Sequence, residues 1–491
     1  MAILIVVNKP QNWPLKIPGG EVVAARDYLT DPKYYRLRGG RVFNLCRSYR
    51  YQSTGYYVSL LATARGHKPI PSIETIQDVK SSAIVRLAAD ELEDLIEKSL
   101  KPIQSREFTL SIYFGRNLAK RYERLSAYIF KLFQCPFIRA RFVYHEEDGW
   151  ELNNLRIISA NEIPEDHHPF VVEVTQEYFR RFRATGPRRF TPRYDLAILF
   201  NPKEENPPSD ERALEKFVKA AKKLDMRAEL IEPEEYGILP QYDGLFIRET
   251  TVVDHHTYRF SRRAFAEGMV VIDDPESIVR CGNKVYLAEL LDLHRVRIPK
   301  TLIVHKGNQE DIMQKIGLPC ILKQPDSSFS QGVFKAVTEA QLHETIEQLL
   351  SESDLIIAQE FLPTPYDWRV GVLDGVPLYA CRYHMANRHW QIQHKDRGGK
   401  THYGKVDTLP IADAPPHVVS TALRATKLIG DGLYGVDLKE AGRRTYVIEV
   451  NDNPSIESGF EDRVLKDDLY LRIMEVFLKR IEQIKEARQP R

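Results

Sequence analysis

Cysteine is scarce: the 491 residues hold five, Cys46, Cys135, Cys281, Cys320 and Cys381, with no CxxC spacing among them. That argues against a closely spaced disulfide framework or thiolate knuckle and fits a reducing cytoplasm. Long apolar runs are missing too. Residues 1–7 are apolar but lead straight to Lys9-Pro10, too short a stretch for an export signal or a spanning helix, so no membrane partner is expected. Neither sign of charge dominates: 70 Lys and Arg against 68 Asp and Glu leave +2, giving no bulk attraction to nucleic acid or membrane. Internal repeats and low-complexity tracts are absent. What remains is an ordinary folded composition, 43% apolar and 28% charged, long enough for two or three cores.

Residues 2–7 form a continuous branched apolar run that predicts a buried strand, and Gly19-Gly20 precede a predicted helix. Residues 111–132 have helical periodicity, while 138–144 and 150–158 flank Asp148-Gly149 as the arms of a hairpin. Around 184–193 the composition becomes Thr185-Gly186-Pro187-Arg188-Arg189 with Pro192 beyond, which places a domain boundary. Arg180, Arg181, Arg183, Arg188 and Arg189 straddle it and read as solvated charge, so nucleic acid is not an expected partner. A strand at 195–200, a helix at 211–224 and strands at 244–247 and 269–272 predict a small α/β domain reaching about Cys281. From Pro299 the order becomes strand 301–304, helix 309–316, strand 320–323, strand 332–337, helix 339–350 and strand 355–359, an α+β unit. A terminal helix carries Leu469, Ile473, Phe477 and Ile481 at every fourth position, a stripe that must pack on something.

Four places could carry chemistry. Lys323 ends a strand and precedes Ser327-Ser328-Phe329-Ser330-Gln331-Gly332, small and hydroxyl-bearing residues able to meet phosphate oxygens; a solvated lysine is the plain alternative. Gln359-Glu360-Phe361-Leu362 ends another strand, where backbone edge and apolar neighbours suit a flat heterocycle, or merely a loop. Asp367-Trp368-Arg369 sets opposite charges on one strand face, either a surface pair or an arginine for a phosphoryl or carboxylate group. Most specific is Gly435-Val436-Asp437-Leu438, a turn at Ala441-Gly442-Arg443, then Val447-Ile448-Glu449-Val450-Asn451. Such a hairpin sets Asp437 and Glu449 on adjacent strands with Asn451 on the face of Glu449, hard oxygen ligands of the kind Mg²⁺ takes, unless both carboxylates simply face water. The pairs His167-His168 and His255-His256 read as polar surface, because neighbouring side chains diverge on a strand or helix.

In this order, a strand lysine with its small-residue loop, then QEFL, DWR, GVDL and EVNDNPS, the sequence resembles the ATP-grasp superfamily and within it the RimK-type ligases, over about residues 195–486. The resemblance implies an α/β and α+β multidomain protein: an N-terminal α/β domain at 1–187, a pre-ATP-grasp α/β domain at 188–283, and an ATP-grasp domain at 284–486 with lobes at about 295–357 and 358–486. It also implies nucleotide binding by Lys284, Lys323, Ser328, Ser330, Gly332, Gln359, Glu360, Phe361, Leu362 and Asp367. Mg²⁺ or Mn²⁺ falls to Asp437, Glu449 and Asn451, and Arg369 and Arg382 match arginines aimed at phosphate or substrate. The activity it implies is ATP-dependent joining of an amino acid or small carboxylate to an amine through an acyl phosphate, with glutamate addition to a peptide or protein one form. A phosphotransferase or a non-catalytic nucleotide-binding scaffold is the alternative, and self-association is left open. The N-terminal region is similar to the extra domain of some RimK-like proteins, through 44–51 and 55–61. There Arg47, Tyr49, Arg50 and Tyr51 make either an anion-holding loop or a turn packed by its own tyrosines.

Overall fold

The computed structural model describes all residues except 1, 38, 91, 147–148, 181–191, 327–331, 386–392, 396–400, 443 and 488–491. The predicted boundary loop, four of its five arginines, and Ser328 and Ser330 therefore lie outside the described residues. Among the described residues no helix is long and apolar enough to cross a membrane. The chain divides into two compact units, one of residues 1–192, 234–241 and 482–491, the other of residues 193–233 and 242–481.

In the first unit the strands β1 (Ala2–Val7), β2 (Glu21–Ala24), β3 (Gly40–Asn44) and β4 (Lys68–Ile70) form a parallel sheet in the order β2-β1-β3-β4. The uninterrupted apolar run of β1 follows from burial on both faces: Ile3, Ile5 and Val7 enter one core while Leu4 and Val6 enter another. An antiparallel sheet of β5 (Glu107–Tyr113), β6 (Phe137–His145) and β7 (Gly149–Ile157) supplies Leu110, Ile112, Phe137 and Leu152 to the first of these cores. The expected hairpin is β6-β7, with Gly149 at φ 76°. Two expectations fail in this unit. Residues 111–132 are not one helix, because Phe114 (φ 46°) and Gly115 (φ 80°) turn the chain after β5 and the helix begins at Glu123. Gly19-Gly20 lead into β2 before any helix, since Leu4 pairs with Glu21. Of the two readings of residues 47–51, the tyrosine-packed turn is the one that buried Tyr49 favours, donating to Asn44 O (2.5 Å), while Tyr51 is 70% exposed.

The second unit opens with a parallel sheet, β11-β10-β8-β9, from β8 (Tyr194–Leu199), β9 (Met226–Ile231), β10 (Gly244–Ile247) and β11 (Val270–Ile272). The terminal stripe packs here: Phe477 meets Phe246, and Leu469, Ile473 and Ile481 are buried. An antiparallel sheet β12-β15-β13-β14 follows, from β12 (Thr301–Val304), β13 (Cys320–Lys323), β14 (Val333–Ala336) and β15 (Ile356–Glu360). The last large sheet, β20-β17-β16-β21-β22, comprises β16 (Tyr366–Leu373), β17 (Val376–His384), β20 (Val406–Leu409), β21 (Leu433–Ala441) and β22 (Arg444–Asn451); β18 (Gln393–Lys395) and β19 (Thr401–Tyr403) form a separate ribbon. One face of that sheet buries Trp368, Val370, Val436 and Leu438 against the helix Pro416–Thr426. Strand alternation leaves the opposite face for polar groups.

Candidate active site

On that polar face three neighbouring strands set Arg369, Asp437 and Glu449 in one row, through the pairings Arg369–Asp437 and Asp437–Glu449. Arg369 grips Asp437 with both prongs (Nε to Oδ1 2.7 Å, Nη2 to Oδ2 2.8 Å). One row on, Gly435 pairs with Asn451, whose Nδ2 donates weakly to Asp437 Oδ2 (3.4 Å). A side chain at position 435 would strike Pro454, its Cβ lying 2.7 Å from the proline Cβ, so the backbone beside Asn451 requires glycine.

The two lysines approach from other elements. Asn283 caps the helix Lys284–Leu293, which places Lys284 at its first position with Nζ 3.0 Å from Glu449 Oε1. Lys323, at the end of β13, donates to Gln359 Oε1 on β15 (2.9 Å), and Gln359 in turn donates to Thr301 (3.0 Å). Burial pushes Glu449 up, but the Lys284 and Lys323 ammonium groups outweigh it and hold the carboxyl below its ordinary range. Leu287, Leu291, Ile298, Ile357 and Val447 line a narrow cleft beside Lys284, Lys323 and Gln359. It adjoins a cavity of about 510 Å³ lined by Lys284, Arg369, Asp437, Glu449 and Asn451 among others.

Burial pushes the Lys323 ammonium down to about 8, with Lys284 and Lys439 lowering it further and Glu449 and Asp367 opposing them. A charged lysine attracts phosphate and a neutral one does not. If Lys323 meets phosphate, ATP affinity is expected to fall as pH rises through about 8, and Lys323→Met should flatten that limb; KM for ATP across the range checks it. For folding the sign is opposite: the unfolded lysine, at 10.5, holds its proton more tightly, so the cost of burying this charge applies below about 8 and is relieved as pH climbs towards 10.5.

The remaining sequence candidates are dispersed around this group. Asp367 shares the polar face but is held by Lys439 (2.5 Å) and Thr364 (2.9 Å). Glu360 pairs with the Lys300 backbone in both directions, and Phe361 lies under Lys335 Nζ at 3.5 Å. Leu362 is half-buried beside it. Gly332, at φ 68°, accepts from Gln324 N, and a Cβ there would meet the Gln324 side chain. Arg382 is not brought to this group. It pairs with Trp368, so it lies on the opposite face from Arg369, its guanidinium 4.7 Å from the Trp368 ring.

Sequence reasoning missed Arg248 and Asp452. Arg248 follows β10, fully buried, and donates to Ser209 Oγ, Asn453 Oδ1, Pro208 O and Pro454 O at 2.6–3.0 Å. The available signal was a charged pair, Arg248-Glu249, directly after a buried parallel strand, at the carboxyl edge where such sheets bind ligands. Asp452 lines the cavity; burial pushes it up to about 7 despite a hydrogen bond from Thr251.

Residues 25–174 match the RimK-like ATPgrasp N-terminal domain, and residues 281–476 match the RimK-like ATP-grasp domain. The chain belongs to the RimK-like ATP-grasp family. With named ligases among its relatives, this RimK-like protein is an ATP-dependent carboxylate–amine ligase. It is 29% identical to an alpha-aminoadipate–LysW ligase, LysX, of Sulfolobus acidocaldarius, over 38% of this chain and 67% of that one. It is 27% identical to a probable alpha-L-glutamate ligase of Vibrio vulnificus, over 47% of this chain and 74% of that one. Among solved structures, D-alanine–D-alanine ligase from Bacillus anthracis is similar at 12% identity, with a TM-score of 0.49 over 60% of this chain and all of that one.

Proposed function

We propose that this RimK-like ligase activates a carboxylate by phosphorylation from ATP and transfers the acyl group to an amine, at the cavity beside Arg369, Asp437 and Glu449. The observation that carries the reading is the row of those three side chains next to Asn451, Lys284 and Lys323. Asp437, Glu449 and Asn451 are the residues that would hold Mg²⁺ or Mn²⁺, and three oxygen donors at adjacent register positions fit such hard ions. When bound, a divalent ion neutralises charge on the phosphates. Lys284 and Arg369 neutralise the carboxylates in this structure, and in the loaded site the same cations face anionic oxygens instead.

In the reaction a substrate carboxylate oxygen attacks the γ-phosphorus and ADP leaves, giving an acyl phosphate. The amine nitrogen then attacks the acyl carbon, losing a proton as phosphate departs. The protein chiefly positions these groups and screens their charge. The preferred substrates include an amino acid, since the relatives' names print alpha-aminoadipate and L-glutamate, and a peptide or protein is the second partner we favour.

Incubation with Mg-ATP, pooled amino acids and peptides should yield amide products by mass spectrometry, one ADP and one phosphate for each bond. Added hydroxylamine should divert the acyl phosphate to a hydroxamate. A phosphorylated acid accumulating as final product would make the protein a phosphotransferase, and absence of ADP under every mixture would make it a scaffold.

A further inference from the structure

The two histidines expected to diverge do the reverse. His255 is the extended residue (φ −141°, ψ 162°) capping the helix His256–Ala266, and His256 is its first helical residue. Neither strand nor helix spacing applies across that junction, and the two rings sit 3.8 Å apart. Glu249, 2% exposed at the carboxyl end of β10, points its Oε2 at His256 Nε2 (2.7 Å). One ligand atom from each of Glu249, His255 and His256 falls within 4.8 Å of the others.

We propose that Glu249, His255 and His256 form a second metal site, for a borderline-soft divalent ion of the zinc type, distinct from the oxygen-rich group at Asp437, Glu449 and Asn451. Two imidazole nitrogens and one carboxylate oxygen are a donor set that zinc accepts readily and magnesium does not. The supporting contacts are in place. Asn201 Nδ2 holds the other Glu249 oxygen (3.0 Å), and Thr257 Oγ1 holds His255 Nδ1 (3.1 Å), as outer partners do when they orient metal ligands. Asn453 Nδ2 fixes the Glu249 backbone oxygen (2.6 Å). The charge balance is favourable too, because Glu204 adds a second carboxylate near Glu249.

A hydrogen bond between Glu249 and His256 accounts for two of the three residues. It leaves unexplained why a second imidazole lies against the first, with ring centroids 3.8 Å apart and planes tilted by 45°, an arrangement a shared ion would favour. The next two residues, Thr250 and Thr251, line the cavity, so the ion braces the segment that forms this part of its wall.

The test uses full-length protein stripped with chelator and dialysed against zinc, then against buffer, with bound metal counted by mass spectrometry. Cobalt(II) replaces zinc for visible absorption. The wild type should retain one equivalent of zinc and show d–d bands of low-coordinate cobalt. His255→Ala leaves the Glu249–His256 hydrogen bond intact, so it separates ion binding from folding. It should weaken zinc binding at least about tenfold and abolish the cobalt bands, with circular dichroism unchanged in chelator. His417→Ala, which removes a histidine paired with Glu440, should keep both signals. Absence of retained zinc in the wild type, or zinc and cobalt signals persisting in both His255→Ala and His256→Ala, would overturn the site. Neither readout depends on ligase turnover.

Discussion

Glu449→Gln should lower ADP release at saturating Mg-ATP by on the order of 10³-fold, about 4 kcal/mol of transition-state stabilisation. The amide keeps the shape and can still accept from Lys284, 3.0 Å away in the parent. What it loses is negative charge beside two ammonium groups, and with it one of the two carboxylates proposed to hold the metal. Stability should move far less, by roughly 1–2 kcal/mol, because the hydrogen bond survives and the side chain is only half-buried. Initial rates beside a urea unfolding curve separate the two effects. Near-normal turnover in a folded Glu449→Gln protein would remove the carboxylate row from the mechanism.

Arg248→Met should have the opposite signature, a large loss of stability. The guanidinium is 1% exposed and donates four hydrogen bonds, two of them to the backbone oxygens of Pro208 and Pro454. Methionine approximates the stem but leaves those acceptors without their donor in a dry environment. Burial lowers the Arg248 pKa only to about 10, so the group is charged at neutral pH and the hydrogen bonds it makes are charge-assisted. A loss of about 3–5 kcal/mol is expected, lowering the midpoint of thermal unfolding by roughly 6–20 °C. Because Asn453 and Pro454 closely follow Asn451, KM for ATP should rise in whatever folded protein remains. An unchanged unfolding midpoint would show that Arg248 does not tie the parallel sheet to this loop.

Much of the site was legible because one hairpin carries it. With a turn at Gly442, strand alternation puts Asp437 opposite Glu449, and the structure has that pairing despite a register shift after Asp437. Lys323 at a strand end was legible for the same reason, a short apolar run stopping at a charge. Arg382 was not. It matched a motif by position, yet β16 and β17 pair Arg369 with Cys381 and Trp368 with Arg382, with a register irregularity between Gly371 and Val372. One residue of offset reverses the face, and nothing in the local sequence specifies it. The histidine pair failed for a related reason: divergence holds inside a regular element, and His255 and His256 straddle the boundary of one.

By itself the sequence determined which residues could act, because element periods and turn chemistry are local and the order of motifs identifies the family. Only the tertiary structure decided which of them meet. Arg369 finds Asp437 across 68 residues and Arg248 finds Asn453 across 205, while Lys284 reaches Glu449 from a separate helix. Those meetings are set by sheet order and by burial of the opposite apolar face, quantities summed over a whole core and written in no short segment.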